Sequence, residues 1–162
     1  MKTLIIIRHA EAEDGYRKPD KARNLSESGI RQAETMARLL TEKGYKPDKI
    51  FSSPAARTQE TTAIFAQICQ VEEKDIKYFD SLYLGDTLQI TEAINWLQEN
   101  IGTLAIVGHN PGVTNFLNDL TDKYVESVPT AGIAIIDLDG ADNWQQFEQA
   151  NKKQRELLFS NI

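Results

Sequence analysis

Short apolar runs alternate with segments of helical spacing along most of this chain. Residues 4–7, 50–51 and 103–107 have the composition of buried strands, and residues 77–79 predict a weaker edge strand. Because strand-like and helical patterns alternate, we expect an α/β protein of three layers, with a mostly parallel central sheet and helices on both faces.

Two helices are predicted in the first half of the chain from their start signals and apolar spacing. Ser26 is the expected N-cap of the first, which ends near Gly44 and has its apolar positions at Ile30, Ala33, Ala37 and Leu40. Ser53 and Pro54 predict the cap and first residue of the second, which runs to about residue 68 and carries Arg57 in its first turn. The polar residues 11–24 before the first helix predict a long loop.

The second half of the chain continues the same alternation. A third helix is predicted from about Thr87, with inner positions at Ile90, Ala93, Ile94, Leu97 and Ile101. Asn110 and Pro111 predict the start of a fourth helix by the same cap rule. Residues 133–138 and 144–147 predict an antiparallel hairpin that turns at Gly140, and the tail from residue 151 is expected to pack on the body.

Length and composition predict a single soluble domain over residues 1–162. The chain is 41% hydrophobic and 26% charged, with a formal net charge of −6. The acidic balance and the lack of a long basic run argue against nucleic acid and anionic membranes as partners. The one cysteine rules out an internal disulfide, and the first apolar run is too short for a signal peptide or a membrane span, so a cytoplasmic location is expected.

Charged and imidazole side chains follow the three buried strands. Arg8 and His9 follow the first strand, Arg57 follows the second, and His109 follows the third. Because the carboxyl ends of parallel strands meet at one edge of a sheet, these four side chains are expected to converge. Two arginine forks and two helix N-termini would bind a phosphate group, and no metal cofactor is needed to supply positive charge.

An imidazole among arginines can act as a nucleophile toward phosphorus. The neighbouring positive charges favour its neutral form, and attack gives a phosphohistidine that water then hydrolyses. We interpret His9 as the nucleophile, held against the end of the first strand, and His109 as the group that stabilises charge on the transferring phosphoryl group. The sequence therefore predicts a metal-independent phosphatase.

The chain resembles the histidine phosphatase superfamily, which has the phosphoglycerate-mutase-like fold, and within it the short SixA-type phosphohistidine phosphatases. The matching segments are Arg8-His9-Ala10, Arg23-Asn24-Leu25-Ser26, Ser53-Pro54-Ala55-Ala56-Arg57 and Gly108-His109-Asn110-Pro111. The resemblance implies that His9 is phosphorylated and that Arg8, Arg57 and His109 bind the phosphate. It also implies that Arg23 is an auxiliary phosphate ligand.

The chain departs from larger members of this family in its proton donor. Mutase-like members carry a glutamate general acid after the second helix, in a motif that is absent here. Asp80 and Asp86 fall in the corresponding stretch and are candidate donors, and Glu11 or Glu13 could also reach the site. Asp80 and Asp86 have alternative interpretations as a turn residue and a helix N-cap acid. A phosphoramidate needs a dedicated acid less than an alkyl ester does, which favours phosphohistidine as substrate.

Three functions remain open on these residues. Short intervening segments predict a shallow, open site without a lid, which favours phosphohistidine on a signalling or phosphotransfer protein, such as a histidine phosphotransfer domain. The alternatives are a broad phosphomonoesterase acting on small phosphate esters and a non-catalytic phosphate-binding module. A mutase is disfavoured, because nothing would shield an intermediate from water.

Overall fold

A computed structural model describes residues 1–159 and contains a six-stranded sheet in the order β3-β2-β4-β1-β5-β6. Strands β3, β2, β4 and β1 are parallel to one another, while β5 is antiparallel to β1 and β6 is antiparallel to β5. The strands are β1 (Lys2–Arg8), β2 (Lys49–Ser52), β3 (Ile76–Tyr78), β4 (Thr103–Gly108), β5 (Ile133–Asp139) and β6 (Asn151–Leu158).

Four α-helices connect the strands. They are α1 (Glu27–Glu42), α2 (Ala56–Cys69), α3 (Thr87–Trp96) and α4 (Gly112–Leu120). Short 3-10 turns lie at Asp20–Ala22, Glu73–Asp75, Asp80–Leu82 and Trp144–Gln146. Within residues 1–159, none of these helices has both the length and the apolar character needed to cross a bilayer.

Alternate side chains of β1 serve two separate cores. Ile5 and Ile7 pack in the core that contains the buried faces of α1 and α2. Leu4 and Ile6 point to the opposite face and pack with the buried residues of α3 and α4. Successive side chains of a strand point to opposite faces, and both faces of β1 are buried. Its central residues are therefore all apolar. The predicted three-layer α/β architecture is confirmed.

The register of the parallel strands aligns their carboxyl ends. Arg8 at the end of β1 pairs with Gly108 at the end of β4, and Ser52 at the end of β2 pairs with Val107. The residues that follow, His9, His109 and Ser53, therefore leave the sheet at nearly the same level.

Ser26 caps α1 as predicted, but two other predicted helix starts are wrong. Ser26 accepts a hydrogen bond from the Gly29 amide at 3.0 Å. Helix α2 begins at Ala56 after an Ala55 cap, and α4 begins at Gly112 after a Pro111 cap. The side chains of Ser53 and Asn110 are instead used in tertiary hydrogen bonds.

Three further expectations need correction. Ile30 lies on the outer face of α1 and is 38% exposed, while Gly29 and Gln32 occupy buried positions. Helix α3 ends at Trp96, so Ile101 lies outside it, although it still packs against the same core. The predicted strand at residues 144–147 is wrong, since Trp144–Gln146 form a 3-10 turn and the hairpin partner of β5 is the tail, residues 151–158.

Two close backbone approaches bring neighbouring elements against the carboxyl edge of the sheet. A Cβ atom at Gly29 would lie 1.9 Å from the Glu11 carbonyl oxygen, and one at Gly112 would lie 1.9 Å from the Gly85 carbonyl oxygen. Glycine at these two positions therefore lets the loop after β1 touch α1 and lets the start of α4 touch the loop before α3.

Candidate active site

His9 lies directly after β1 and is 8% exposed. Its backbone amide donates to the Gly108 carbonyl, which extends the β1–β4 pairing by one residue. The Nδ1 atom lies 2.7 Å from the Ala10 carbonyl oxygen. Since a carbonyl oxygen only accepts hydrogen bonds, Nδ1 carries the proton and Nε2 is left with a free lone pair.

Thr61 ties the turn after His9 to the helix that carries Arg57. Its hydroxyl accepts from the Ala10 amide at 3.1 Å and donates to the Arg57 carbonyl at 2.8 Å. Thr61 is fully buried. This hydroxyl bridge connects the nucleophile candidate on β1 with the first turn of α2.

Arg8 and Arg57 reach the site from different sides. Arg8 donates from Nη1 to the Val128 carbonyl at 3.0 Å, in the loop before β5. Arg57 is 3% exposed and donates from Nη1 to the Asp20 carbonyl at 2.7 Å and from Nη2 to the Asp20 carboxylate at 3.0 Å. Within residues 1–159 the Nε atoms of both arginines are buried without a hydrogen-bond partner.

Asp20 connects three groups of the site, and sequence reasoning missed it. One carboxylate oxygen accepts from Arg23 Nε and Nη2 at 3.1 and 3.0 Å. The other accepts from Arg57 and from the Tyr83 hydroxyl. The hydrogen bond from Tyr83 and those from the two arginines hold the pKa of Asp20 well below its usual range. Asp20 is therefore an anion bound to the guanidinium groups that were predicted to bind phosphate.

Arg23, the predicted auxiliary ligand, lies at the site but is engaged by its own loop. Besides Asp20 it binds the Glu13 carbonyl through Nη1 at 2.7 Å. Its charge contributes to lowering the pKa of His9, which places the guanidinium within electrostatic reach of that ring.

His109 follows β4 and faces both His9 and the loop after β3. It is 3% exposed, and its ring centroid lies 5.3 Å from that of His9 and 5.6 Å from that of Tyr83. Its Nε2 atom lies 2.8 Å from the Ser53 hydroxyl oxygen, while Nδ1 is buried without a partner in the described residues. Ser53 and Tyr83 were not identified from the sequence as site residues.

Both histidines are neutral near physiological pH. The pKa of His9 is lowered to about 4, mainly by burial and further by the charges of Arg57, Arg8 and Arg23, against the opposing effect of its bond to the Ala10 carbonyl. The pKa of His109 is lowered to about 3, again mainly by burial and then by His9 and Arg57. The arrangement therefore presents a neutral imidazole nitrogen beside permanent cations.

The acidic residues considered as proton donors lie in other contacts. Asp80 is exposed at the start of a 3-10 turn, and Asp86 caps α3 by accepting from the Thr87 amide at 3.0 Å. Glu11 accepts from the hydroxyls of two serines at the start of α1, and Glu13 pairs with a lysine of its own loop. No hydrogen bond joins any of these carboxylates to His9, Arg57 or His109 in the part of the chain that the structure describes.

The entrance to the site differs from the open surface expected from the sequence. Asp20 in the 11–24 loop contacts Arg57 on one side and the Tyr83 hydroxyl on the other, and both histidines are less than 10% exposed. The 3-10 turn of this loop, Asp20–Ala22, lies against Arg57 and bonds to its guanidinium. Arg57 and both histidines are accordingly almost closed to solvent.

A resident metal has no evident set of ligands among residues 1–159, since no three His, Cys, Asp or Glu side chains cluster there in a way that could hold an ion. The independence of the reaction from metal stays a prediction.

Comparison with known proteins gives one family match. The sequence model of the histidine phosphatase superfamily (branch 1) matches residues 4–95. SixA from Agrobacterium tumefaciens, assigned as a phosphohistidine phosphatase, superposes with a TM-score of 0.82 at 26% identity, over 98% of both chains. The protein histidine phosphatase SixA complexed with tungstate superposes with a TM-score of 0.82 at 19% identity, over 97% of this chain and 96% of that one.

A broad-specificity phosphatase of Saccharomyces cerevisiae is also similar. It is 32% identical over 98 residues, which cover 56% of this chain and 43% of the yeast protein. The predicted phosphoglycerate-mutase-like fold and the predicted SixA-type resemblance are confirmed by these similarities.

The lowered pKa values can be tested directly, because the chain contains two histidines and each ring can be followed separately. We expect the ring proton shifts of both to stay constant in an NMR titration from pH 8 to pH 5, since their pKa values of about 4 and 3 lie below this range. A titration midpoint near the ordinary value of about 6.5 for either ring would contradict the described burial.

Asp20 binds the arginines that are expected to bind phosphate, so the two anions should compete for Arg57 and Arg23. Asp20→Asn tests this competition. Asparagine keeps an acceptor oxygen but removes the charge, so Arg57 and Arg23 no longer hold a carboxylate. We expect inorganic phosphate to bind several-fold more tightly, measured by isothermal titration calorimetry. Asp14→Asn is the control, because it removes the same charge from an exposed position of the same loop. Equal affinity in the two variants would show that Asp20 does not compete.

Proposed function

This chain belongs to branch 1 of the histidine phosphatase superfamily and is a phosphatase, and we propose that it removes phosphate from phosphohistidine carried on a protein. The observation that carries the proposal is the state of His9. Its Nε2 lone pair is unprotonated, because Nδ1 is bonded to the Ala10 carbonyl and the pKa of the ring is about 4. This nitrogen lies among the cations that would hold the phosphoryl oxygens.

The proposed first step transfers the phosphoryl group to His9. Nε2 attacks phosphorus, the phosphorus–nitrogen bond of the substrate breaks, and its electron pair stays on the departing imidazole, which takes a proton from solvent. The product is a phosphohistidine at Nε2 whose Nδ1 proton remains bonded to the Ala10 carbonyl. Water then attacks phosphorus, releases inorganic phosphate and restores the neutral His9 ring.

The surrounding cations stabilise the charge on the phosphoryl group in both steps. Arg57 is buried, and its guanidinium now held by Asp20 would exchange that carboxylate for phosphoryl oxygens. Arg8 is fixed by the Val128 carbonyl through one nitrogen and keeps others free for the ligand. Arg23 adds positive charge at the entrance, and His109 adds a ring N–H.

The proposed substrate is supported by two observations. SixA from Agrobacterium tumefaciens, assigned as a phosphohistidine phosphatase, shares 26% identity and nearly the full length with this chain. Among residues 1–159 neither the Asp80 nor the Asp86 carboxylate is hydrogen-bonded to His9, Arg57 or His109, and a leaving imidazole that is protonated from solvent does not require such an acid. We propose a phosphorylated protein as the partner and, with one buried cysteine in the chain, the cytoplasm as the compartment.

A broad phosphomonoesterase is the second candidate. It is favoured by the 32% identity over 98 residues to the yeast broad-specificity phosphatase. The third candidate, a non-catalytic phosphate-binding module, has less support, because such a module has no need for an unprotonated nucleophile beside the arginines.

Phosphoryl transfer to His9 is testable by labelling. After incubation with ³²P-labelled phosphoramidate, we expect the label on His9 and none on His9→Ala. His109→Ala should still accumulate label on His9, but its turnover should be about 100- to 1,000-fold slower. This is the effect expected when one hydrogen-bond donor to the charge of the transition state is removed. A chelator should leave the rate unchanged. Label retained in His9→Ala, or inactivation by the chelator, would overturn the mechanism.

The substrate class is testable by comparing kcat/KM values. We expect a phosphohistidine-bearing phosphotransfer protein to be at least tenfold better than phosphoserine peptides, sugar phosphates and nucleotides, because none of the four candidate carboxylates bonds to the site histidines in residues 1–159 to protonate an alkoxide leaving group. His9→Ala is the control for contaminating activity. Comparable values for small esters would favour the broad phosphomonoesterase.

A further inference from the structure

We propose that Ser53 is a positioning residue that fixes the tautomer of His109, so that the ring presents an Nδ1–H donor to the phosphoryl group. The proposal rests on the proposed function, in that it assigns a donor role to His109, but the tautomer itself is a property of the unliganded protein. The contacts of the buried Ser53 hydroxyl determine this tautomer.

The sheet register places Ser53 beside His109. Ser52 pairs with Val107 at the ends of β2 and β4, and the Ser53 amide donates to the Val107 carbonyl. Ser53 therefore lies beside Gly108, one residue before His109, and the Ser53 hydroxyl oxygen lies 2.8 Å from Nε2 of His109. The two residues are 0% and 3% exposed, so water has little access to this contact.

The direction of this hydrogen bond follows from the other contacts of Ser53. Its hydroxyl oxygen accepts from the Ala55 amide at 3.3 Å, so one lone pair is already used. Within residues 1–159 the hydroxyl has one further partner, Nε2 of His109. If Nε2 donated, the hydroxyl hydrogen would be buried without an acceptor, which is unfavourable because its bond to water would not be replaced. The hydroxyl therefore donates to Nε2.

The backbone around Ser53 holds the hydroxyl in this position. The Ser53 carbonyl accepts from the Ser52 hydroxyl at 2.9 Å and from the Thr58 hydroxyl at 2.8 Å. Thr58 belongs to the first turn of α2, so the end of β2 is fixed to the helix that carries Arg57. These bonds leave Ser53 little freedom to turn away from the imidazole.

A neutral ring with an accepting Nε2 must carry its proton on Nδ1. His109 is neutral, because burial and the nearby positive charges keep its pKa at about 3. The two nitrogens of an imidazole point to roughly opposite sides of the ring, and Nδ1 is buried with no partner in the described residues. In this tautomer Nδ1 donates to a phosphoryl oxygen, whereas in the other its lone pair would repel the anion.

The test is long-range ¹H–¹⁵N NMR of the histidine rings in the whole unliganded protein, with His9→Gln used to assign the two spectra. In the wild type we expect the His109 signals of a neutral ring protonated at Nδ1 and unprotonated at Nε2. Ser53→Ala removes the donor to Nε2, so the Nε2–H form should become populated. A wild-type ring protonated at Nε2 would by itself overturn the proposal.

Ser52→Ala is the matched control. Ser52 is also fully buried, and Ser52→Ala also removes one hydroxyl, but that hydroxyl bonds to the backbone of Ser53 and Thr58 and not to His109. The Ser53 carbonyl keeps its hydrogen bond from the Thr58 hydroxyl in this variant, so Ser53 stays fixed beside the ring. We expect it to keep the wild-type tautomer while Ser53→Ala changes it. The same tautomer in all three proteins would show that Ser53 does not set it.

Two further readouts separate this proposal from the proposed function. Ser53→Ala should bind inorganic phosphate at least about tenfold more weakly than Ser52→Ala, by analogy with the loss of a residue that orients a metal-binding imidazole. It should also turn over aryl phosphate more slowly, with the ³²P label still on His9. If the protein failed to act on phosphohistidine, the expected changes in phosphate affinity and aryl phosphate turnover would still hold. An unchanged phosphate affinity in Ser53→Ala would overturn the role of His109 as a donor.

Discussion

Backbone hydrogen bonding in the parallel part of the sheet aligns the ends of β1, β2 and β4, and the candidate site depends on that alignment. Arg8 pairs with Gly108 and Ser52 with Val107, so His9, Ser53 and His109 leave the sheet side by side. A shift of one residue in any of these strands would turn its side chains to the other face and move the following group by about 3.3 Å. The apolar residues of β1, buried on both faces, make such a shift costly.

The second constraint is the repulsion among cations that a phosphate site requires. Arg57 is nearly buried, and its charge acts on both histidines and on Arg8. The fold limits the repulsion in two ways. It keeps the two imidazoles neutral, and it supplies the Asp20 carboxylate as a counter-ion to Arg57 and Arg23. The same carboxylate also accepts from the Tyr83 hydroxyl, so the residue that balances the charge of Arg57 also joins the loop before α1 to the loop after β3.

The sequence predicted the framework of the site better than its interior. Arg8, His9, Arg57 and His109 were recognised because each follows an apolar run, and the sheet brings those run ends together. Ser53 was assigned to a helix cap, since Ser-Pro before a helix is a common start signal, but the helix starts later and the hydroxyl bonds to His109. Asp20 and Tyr83 gave no signal. Their contacts span 37 and 63 residues of the chain and depend on how two loops fold over the sheet.

The two histidines lie at equivalent strand ends and have similar pKa values, yet they are proposed to have different roles. Both follow parallel strands, both are buried, and both have pKa values lowered by the same causes, so acidity does not distinguish nucleophile from donor. The hydrogen-bond partner does. In both rings the proton lies on Nδ1, but different nitrogens are occupied by protein groups. The Ala10 carbonyl binds Nδ1–H of His9 and leaves the Nε2 lone pair free, whereas the Ser53 hydroxyl occupies Nε2 of His109 and leaves Nδ1–H without a partner among the described residues. Under the proposed mechanism, two rings of the same tautomer therefore present opposite groups to the phosphoryl group, a lone pair from His9 and a donor from His109.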